Sequence, residues 1–234
     1  MLLEVTDLHC HYGLFEAVKG VSLQVEEGSV VGVLGNNGSG KSTTLRTISG
    51  LMKPSKGDIF FEGKLINNVR GDKRVSMGIA QVPEGKGLFP YLTVYENLRL
   101  GAISRRDKDG VAEDLETIFN RYPILKQRRK QQACTLSGGE QTQLSIARGV
   151  MARPKLLMLD EPLQGLAPLV IGEVEEMIME LNKGGMTILM VEHNVNMARG
   201  MCSKLYVYEL GRIIAQGNPA ELSESEYVKM IYLV

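Results

Sequence analysis

Gly35-Asn36-Asn37-Gly38-Ser39-Gly40-Lys41-Ser42 is the stretch on which the fold turns. It matches the spacing G-x-x-x-x-G-K-[ST], and its surroundings suit that pattern. Before it, Ser29-Val30-Val31-Gly32-Val33-Leu34 is an apolar run that reads as a buried strand. After it, Thr43-Thr44-Leu45-Arg46-Thr47-Ile48 reads as the start of a helix. The glycines let successive backbone N–H groups turn inward onto phosphate oxygens, and a helix N-terminus adds partial positive charge. Lys41 is placed to reach the β- and γ-phosphates, and the Ser42 hydroxyl to ligate Mg²⁺. A nucleoside triphosphate site within an α/β domain follows.

Three further stretches carry chemistry. Leu156-Leu157-Met158-Leu159-Asp160-Glu161 sets two carboxylates at the C-terminal end of a buried strand, where ligands sit in an open α/β sheet. Asp160 is placed to hold Mg²⁺, directly or through water, and Glu161 to polarise an attacking water. Two acids at an ordinary strand boundary are the plain alternative. Thr187 to Val191 is another strand, ending in Glu192-His193-Asn194, which aims His193 at a γ-phosphate. His9 and His11 lie on an early strand and read as structural. In Leu136-Ser137-Gly138-Gly139-Glu140-Gln141, Ser137 and Glu140 have the spacing of a reciprocal helix cap. The bare glycine amides at that helix start suit an anion. A second phosphate-binding helix start is surplus for one nucleotide in one chain, so it is expected to meet the nucleotide held by another copy.

The elements between these motifs alternate in type. Leu3, Val5 and Leu8, then Val21, Leu23 and Val25, sit between polar neighbours and predict two half-buried antiparallel strands. Lys53-Pro54-Ser55-Lys56-Gly57 is a turn, Asp58 to Lys64 one side of a hairpin, and Gly78 to Pro83 a short strand that includes Gln81. From about Thr93 to Ser137 the strand signal fades; Leu115, Ile118 and Phe119 share one helical face. This stretch, 93–137, is expected to be a helical lobe inserted between two parts, 1–92 and 138–234, of one nucleotide-binding domain with an antiparallel β lobe. Gly138 to Ala152 predicts a helix that stops before Pro154, and Leu169 to Lys183 another that stops at Gly184-Gly185. Tyr206 to Ala215 predicts a hairpin about Gly211. Met177, Met179, Met186 and Met190 read as core filler.

Bulk numbers narrow the function further. The 234 residues suit one large domain or a domain with a small lobe. Lys+Arg and Asp+Glu are both 27, so the basic footprint of a nucleic-acid partner is missing. The densest basic run, Gln127-Arg128-Arg129-Lys130, reads as a solvated face or a partner contact. Cys10, Cys134 and Cys202 are scattered without metal spacing, which suits reduced thiols in a cytosolic protein. Glu4 and Asp7 argue against a signal peptide, and no apolar run approaches the ~20 residues that span a bilayer. Membrane contact is expected only through a partner chain.

Together Gly35–Ser42, Leu136–Gln141, Leu159-Asp160-Glu161-Pro162 and His193 come in the order and spacing of an ABC transporter ATPase subunit. The chain resembles that family over essentially its whole length, and Leu136–Gln141 resembles its signature sequence. The resemblance implies an α/β P-loop ATPase that hydrolyses ATP with Mg²⁺ as a homo- or heterodimer at the cytoplasmic face of the cell membrane, attached to transmembrane permease subunits. It implies ATP held by Tyr12, whose ring would stack on adenine, and by Gly35, Asn36, Asn37, Gly38, Ser39, Gly40, Lys41, Ser42 and Thr43. Ser137, Gly138, Gly139 and Glu140 would meet the ATP of the second subunit. Ser42, Asp160 and Glu84 would attend Mg²⁺; Lys41, Glu161 and His193 would be catalytic. A packed strand tyrosine is the alternative for Tyr12.

Val82-Pro83-Glu84-Gly85, Leu88-Phe89-Pro90, Leu92-Thr93-Val94, Glu96-Asn97-Leu98 and Gly165-Leu166-Ala167-Pro168 are similar to the ATPases of branched-chain amino acid importers, as is a short tail ending soon after Tyr232. Amide and urea importers share much of this. The chain departs from the wider family at Glu84, where glutamine is usual, and at Ala167, where aspartate is common. It departs from the subgroup at Leu163, where a serine is usual, followed here by Gln164; a hydroxyl lost near the dimer seam would weaken contacts between copies. An exporter ATPase, a soluble ABC ATPase acting on DNA or the ribosome, and a module that holds ATP without turnover stay open. The last two fit poorly, because long coiled coils and fused second units are missing and Lys41, Asp160, Glu161 and His193 are all present. The exposed turn Glu84 to Leu92, with Leu88, Phe89 and Tyr91, is expected to dock a short helix of the membrane partner; Phe89 folding into the core is the alternative.

Overall fold

The computed structural model describes residues 1–193, 198 and 200–224, with the backbone alone at 221, 223 and 224. Asn194 and the tail at Tyr232 lie outside the described residues. Two sheets carry the chain. The first is antiparallel, in the order β2-β1-β4-β5, from β1 (Leu3–Tyr12), β2 (Phe15–Val25), β4 (Lys56–Phe61) and β5 (Lys64–Leu65). The second runs β10-β9-β3-β8-β7-β6. Its members are β3 (Val30–Gly35), β6 (Ile79–Val82), β7 (Leu156–Asp160), β8 (Thr187–Glu192), β9 (Lys204–Glu209) and β10 (Arg212–Gly217). All its pairings are parallel except the β9–β10 hairpin.

The apolar runs explain the second sheet. β3, β7 and β8 are buried at every residue, which a strand achieves only when both faces are covered. Alternate residues divide between two cores, as the two-residue strand period requires. Leu157, Leu159, Ile188 and Met190 face a core shared with the helices. Leu156, Met158, Leu189 and Val191 face a core shared with the antiparallel sheet. Met177 and Met190 are buried, and Met179 and Met186 pack at the core margin, as filler should.

Helices surround this sheet: α1 (Lys41–Ile48), α2 (Gly71–Met77), α3 (Val94–Gly101), α4 (Lys108–Arg121), α5 (Pro123–Gln127), α6 (Gly138–Val150), α7 (Pro168–Lys183) and α8 (Pro219–Glu224). Between β6 and α6 the chain is helical, with Leu115, Ile118 and Phe119 buried on one face of α4. Neither α2 nor α8 was expected from sequence. α2 is seven residues long and buries only Arg74, so it has no apolar stripe to read. Arg74 donates instead to the carbonyls of Thr47 and Ile48 at 2.8 Å, meeting the negative end of α1.

One long-range join sets the site. The turn between β9 and β10 rests on the loop before α1: the Gly211 N–H donates to the Ser39 carbonyl at 3.0 Å, and its carbonyl accepts from the Lys19 N–H at 2.8 Å. A Cβ at Gly211 would lie 2.7 Å from the Ala17 carbonyl oxygen, so only glycine lets the turn sit this close.

Candidate functional site

The loop Asn36–Gly40 leaves the C-terminal end of β3 at the middle of the sheet, with β8 on one side and β9 on the other. Gly40 caps α1 at φ 102°, a left-handed conformation, and a Cβ there would lie 2.5 Å from the Ala17 carbonyl oxygen. Lys41 is buried. Its Nζ donates to the carbonyls of Gly35 at 2.8 Å and Asn36 at 3.0 Å and stands 3.7 Å from Glu161 Oε1. Burial pulls its pKa down, against the opposing pull of the Glu161 and Asp160 charges. A buried ammonium held by loop carbonyls, with only a loose carboxylate partner, is suited to a polyanion.

Asp160, the last residue of β7, accepts from the Ser42 hydroxyl at 2.9 Å. Burial raises its pKa; the Ser42 bond lowers it, and the nearby Glu161 and Glu84 charges raise it again. A hydroxyl and a carboxylate in contact, with a second carboxylate near, form the oxygen-rich donor set that hard Mg²⁺ takes. Among the described residues the buried Glu161 Oε2, on the wall of this region, has no hydrogen-bond partner, so polar capacity there is uncommitted. The residues therefore fit a magnesium nucleotide.

A cavity of about 430 Å³ opens here. Its walls include Asn37, Gly38, Gly40, Lys41, Ser42 and Thr43, with Glu161 and Glu84 beside them. Tyr12 lines the same cavity and is 47 % exposed. Its hydroxyl lies 3.5 Å from Thr43 Oγ1. Phe15, which sequence reasoning passed over, lines the cavity too; the β1–β2 register places it opposite Tyr12.

His193 follows β8, with Nδ1 3.7 Å from Glu161 Oε2. Glu161 itself holds φ 50°, a left-handed conformation unusual outside glycine. At the start of α6 the reciprocal cap forms: Ser137 Oγ accepts from the Glu140 N–H at 3.3 Å, and the Ser137 N–H donates to Glu140 Oε2 at 2.7 Å. Ser137, Gly138, Gly139 and Glu140 are not among the lining residues of the phosphate-loop cavity. His9 and His11 join a surface network with Glu16, Asp7 and Ser55. In the basic run, Arg128 faces Glu140 and Arg129 lies over the rings of Tyr95 and Phe119.

Leu163 is 2 % exposed, and its side chain packs in the helical core. Its N–H donates to Glu192 Oε1 at 3.2 Å. Glu192 was overlooked as well; an acid closing an apolar strand reads as an exposed strand end, but this one is buried. Its pKa is pushed up to about 7 by burial, held back by the Leu163 amide and raised further by Glu161.

A mixed sheet with a phosphate loop at its centre and paired acids at the end of β7 defines a P-loop ATPase. Residues 18–164 match the family described as ABC transporter; the chain belongs to that family, as one of its ATP-hydrolysing subunits. It is 39% identical to the high-affinity branched-chain amino acid transport ATP-binding protein BraG of Pseudomonas aeruginosa, over 99% of both chains. It is 34% identical to the lipopolysaccharide export system ATP-binding protein LptB of Haemophilus influenzae, over 99% of this chain and 97% of that one. Among solved structures it is similar to a nucleotide-free ATP-binding cassette from an ABC transporter, with TM-score 0.88 and 29% identity over 99% and 98% of the two chains. The ADP conformation of an ATP-binding cassette matches with TM-score 0.87 and 30% identity, over the same shares.

Proposed function

We propose that this chain hydrolyses ATP to drive branched-chain amino acid import through separate membrane subunits, working as a pair at the cytoplasmic face of the membrane. The observation that carries hydrolysis is the meeting of Lys41, Ser42 and Glu161 in one cavity, with Asp160 bonded to Ser42. Full-length similarity to BraG supports the solute, against 34% identity to a lipopolysaccharide exporter subunit. Residues 93–137 are assigned to a helical lobe, and 1–92 with 138–234 to the nucleotide-binding core.

In this reading the loop amides and Lys41 neutralise phosphate charge, and Tyr12 stacks on adenine. Ser42, Asp160 and Glu84 hold Mg²⁺, which when bound offsets phosphate charge. Glu161 orients water and takes its proton, and His193 steadies the γ-phosphate. Ser137, Gly138, Gly139 and Glu140 serve the nucleotide of the paired copy, in keeping with their position outside this chain's own cavity. Most of the rate comes from positioning and electrostatics. No helix among the described residues is long and apolar enough to cross a membrane, so a permease is required for transport.

Glu161→Gln tests the reading, because Gln is nearly isosteric but cannot act as a base. ATP binding should persist while turnover falls at least about a hundredfold, and an ATP-dependent dimer should accumulate in size-exclusion chromatography. A monomer with ATP bound would count against the paired site. Co-purification with the membrane subunits, followed by uptake of branched-chain amino acids, tests the solute; uptake of an amide or urea instead would redirect the assignment.

A further inference from the structure

Two ties join the ends of β7 and β8. The Glu161 N–H donates to the Val191 carbonyl at 3.0 Å, and the Leu163 N–H donates to Glu192 Oε1 at 3.2 Å. The first is made by Glu161 itself and the second two residues further on, and Glu161 is the residue held at φ 50°. A left-handed conformation outside glycine persists only where its surroundings over-determine it. The first tie is backbone to backbone and available to any residue type. The second needs a side chain of the right length with an acceptor oxygen, and Glu192 supplies it from 1 % exposure. The residue after Glu192 is His193, whose ring stands 3.7 Å from the Glu161 carboxylate.

We propose that Glu192 is a positioning residue for hydrolysis: its buried carboxyl group, bonded to the Leu163 amide, fixes the turn that aims Glu161 and sets it against His193. The role rests on the reading of the cavity as a hydrolysing site. Charge is not what the tie uses. Among the described residues Glu192 Oε2 is buried with no side-chain partner and no ion pair reaches the group; the Lys41 charge acts on it only at a distance, and the His193 amide lies beside it. A neutral acid accepts from the Leu163 amide through its carbonyl oxygen, and so does a glutamine. An aspartate keeps the charge but draws the acceptor back by one carbon–carbon bond, about 1.5 Å, out of reach.

The test is therefore a crossed pair in the full chain: Glu192→Gln and Glu192→Asp, each measured for ATP Kd by calorimetry and for kcat. Glu192→Gln should keep kcat within about threefold. Glu192→Asp should lose about tenfold or more in kcat with Kd within about threefold, the mark of an interaction that matters only in the transition state. An Asp variant with wild-type kcat, or a Gln variant down tenfold, overturns the proposal. So does an Asp variant that loses affinity in parallel with kcat, since that is a merely structural effect. Should Glu192→Asp fail to fold by circular dichroism, Glu192→Gln decides alone by the same thresholds. A wild-type chain without turnover would overturn the functional reading and this role with it; an active Asp variant in a working enzyme overturns this role only.

Discussion

Lys41 shows what one residue must do in a phosphate loop. Its ammonium is buried and held by two loop carbonyls, with its nearest carboxylate at 3.7 Å. Phosphate oxygens would replace neutral acceptors with charged ones, each such bond contributing about 1.5–3 kcal/mol. Lys41→Ala should therefore weaken ATP binding by roughly a hundredfold, about 3 kcal/mol. Calorimetry showing wild-type affinity would remove Lys41 from the site. Glu192 carries a second expectation at this scale. Its folded pKa of about 7 stands above the ordinary 4.5. Between those values the native state keeps a proton that the unfolded chain has lost, so this group makes stability fall as pH rises, levelling off above about 7. The shift corresponds to at most about 3 kcal/mol. Urea unfolding at pH 5 and pH 8 should show wild type losing stability relative to Glu192→Gln across that interval; parallel losses would exclude it.

At the scale of elements, the turn from Phe89 to Leu92 shows how an apolar surface is kept exposed. Asn97, on α3, is fully buried beneath it. Its Oδ1 accepts from the Phe89 N–H at 3.0 Å, and its Nδ2 lies within hydrogen-bond distance of the carbonyls of Phe89, Leu92 and Thr93. The turn is pinned from below, which leaves Phe89 at 51 % and Tyr91 at 78 % exposure. Phe89 flanks a cavity of about 370 Å³ whose walls include Pro83, Leu100 and Arg148. A short permease helix is the expected occupant. Phe89→Asp should leave the ATPase rate of the free subunit within about threefold while abolishing pull-down of the membrane partner, since solvated positions tolerate change. Lost folding would make Phe89 core; unchanged pull-down and transport would remove the docking surface.

Elements also differ in how openly their sequence announces them. β3, β7 and β8 were plain because strands covered on both faces are apolar throughout. The α6 cap was plain because Ser137 and Glu140 stand at the spacing the motif demands. α2 was hidden because its single buried side chain, Arg74, bonds to the carbonyls of Thr47 and Ile48, far off in sequence. Glu192 was passed over because it looks like a boundary residue, and the amide it meets, on Leu163, lies 29 residues away. Local pattern reports periodicity and caps; it does not report which loop will lie over which strand end.

Across the whole molecule, the order of strands in space departs from their order in the chain. β3, which carries the phosphate loop, pairs with β8 and β9 and with no earlier strand. The loop itself is bonded through Ser39 to Gly211 in the β9–β10 turn. During synthesis the residues that would grip the nucleotide emerge first and wait. Until β8 has been made, β3 has no lateral partner, and until the turn at Gly211 follows, the Ser39 carbonyl has no donor from that turn, so a nascent chain that contains every phosphate-loop residue is still without a finished pocket. Such long-range closure folds slowly and leaves unpaired strand edges open in the interval. The nucleotide site is finished only after β9 and the Gly211 turn have been made, and a chain arrested before them, with the full motif, is a client for chaperones before it is an ATPase.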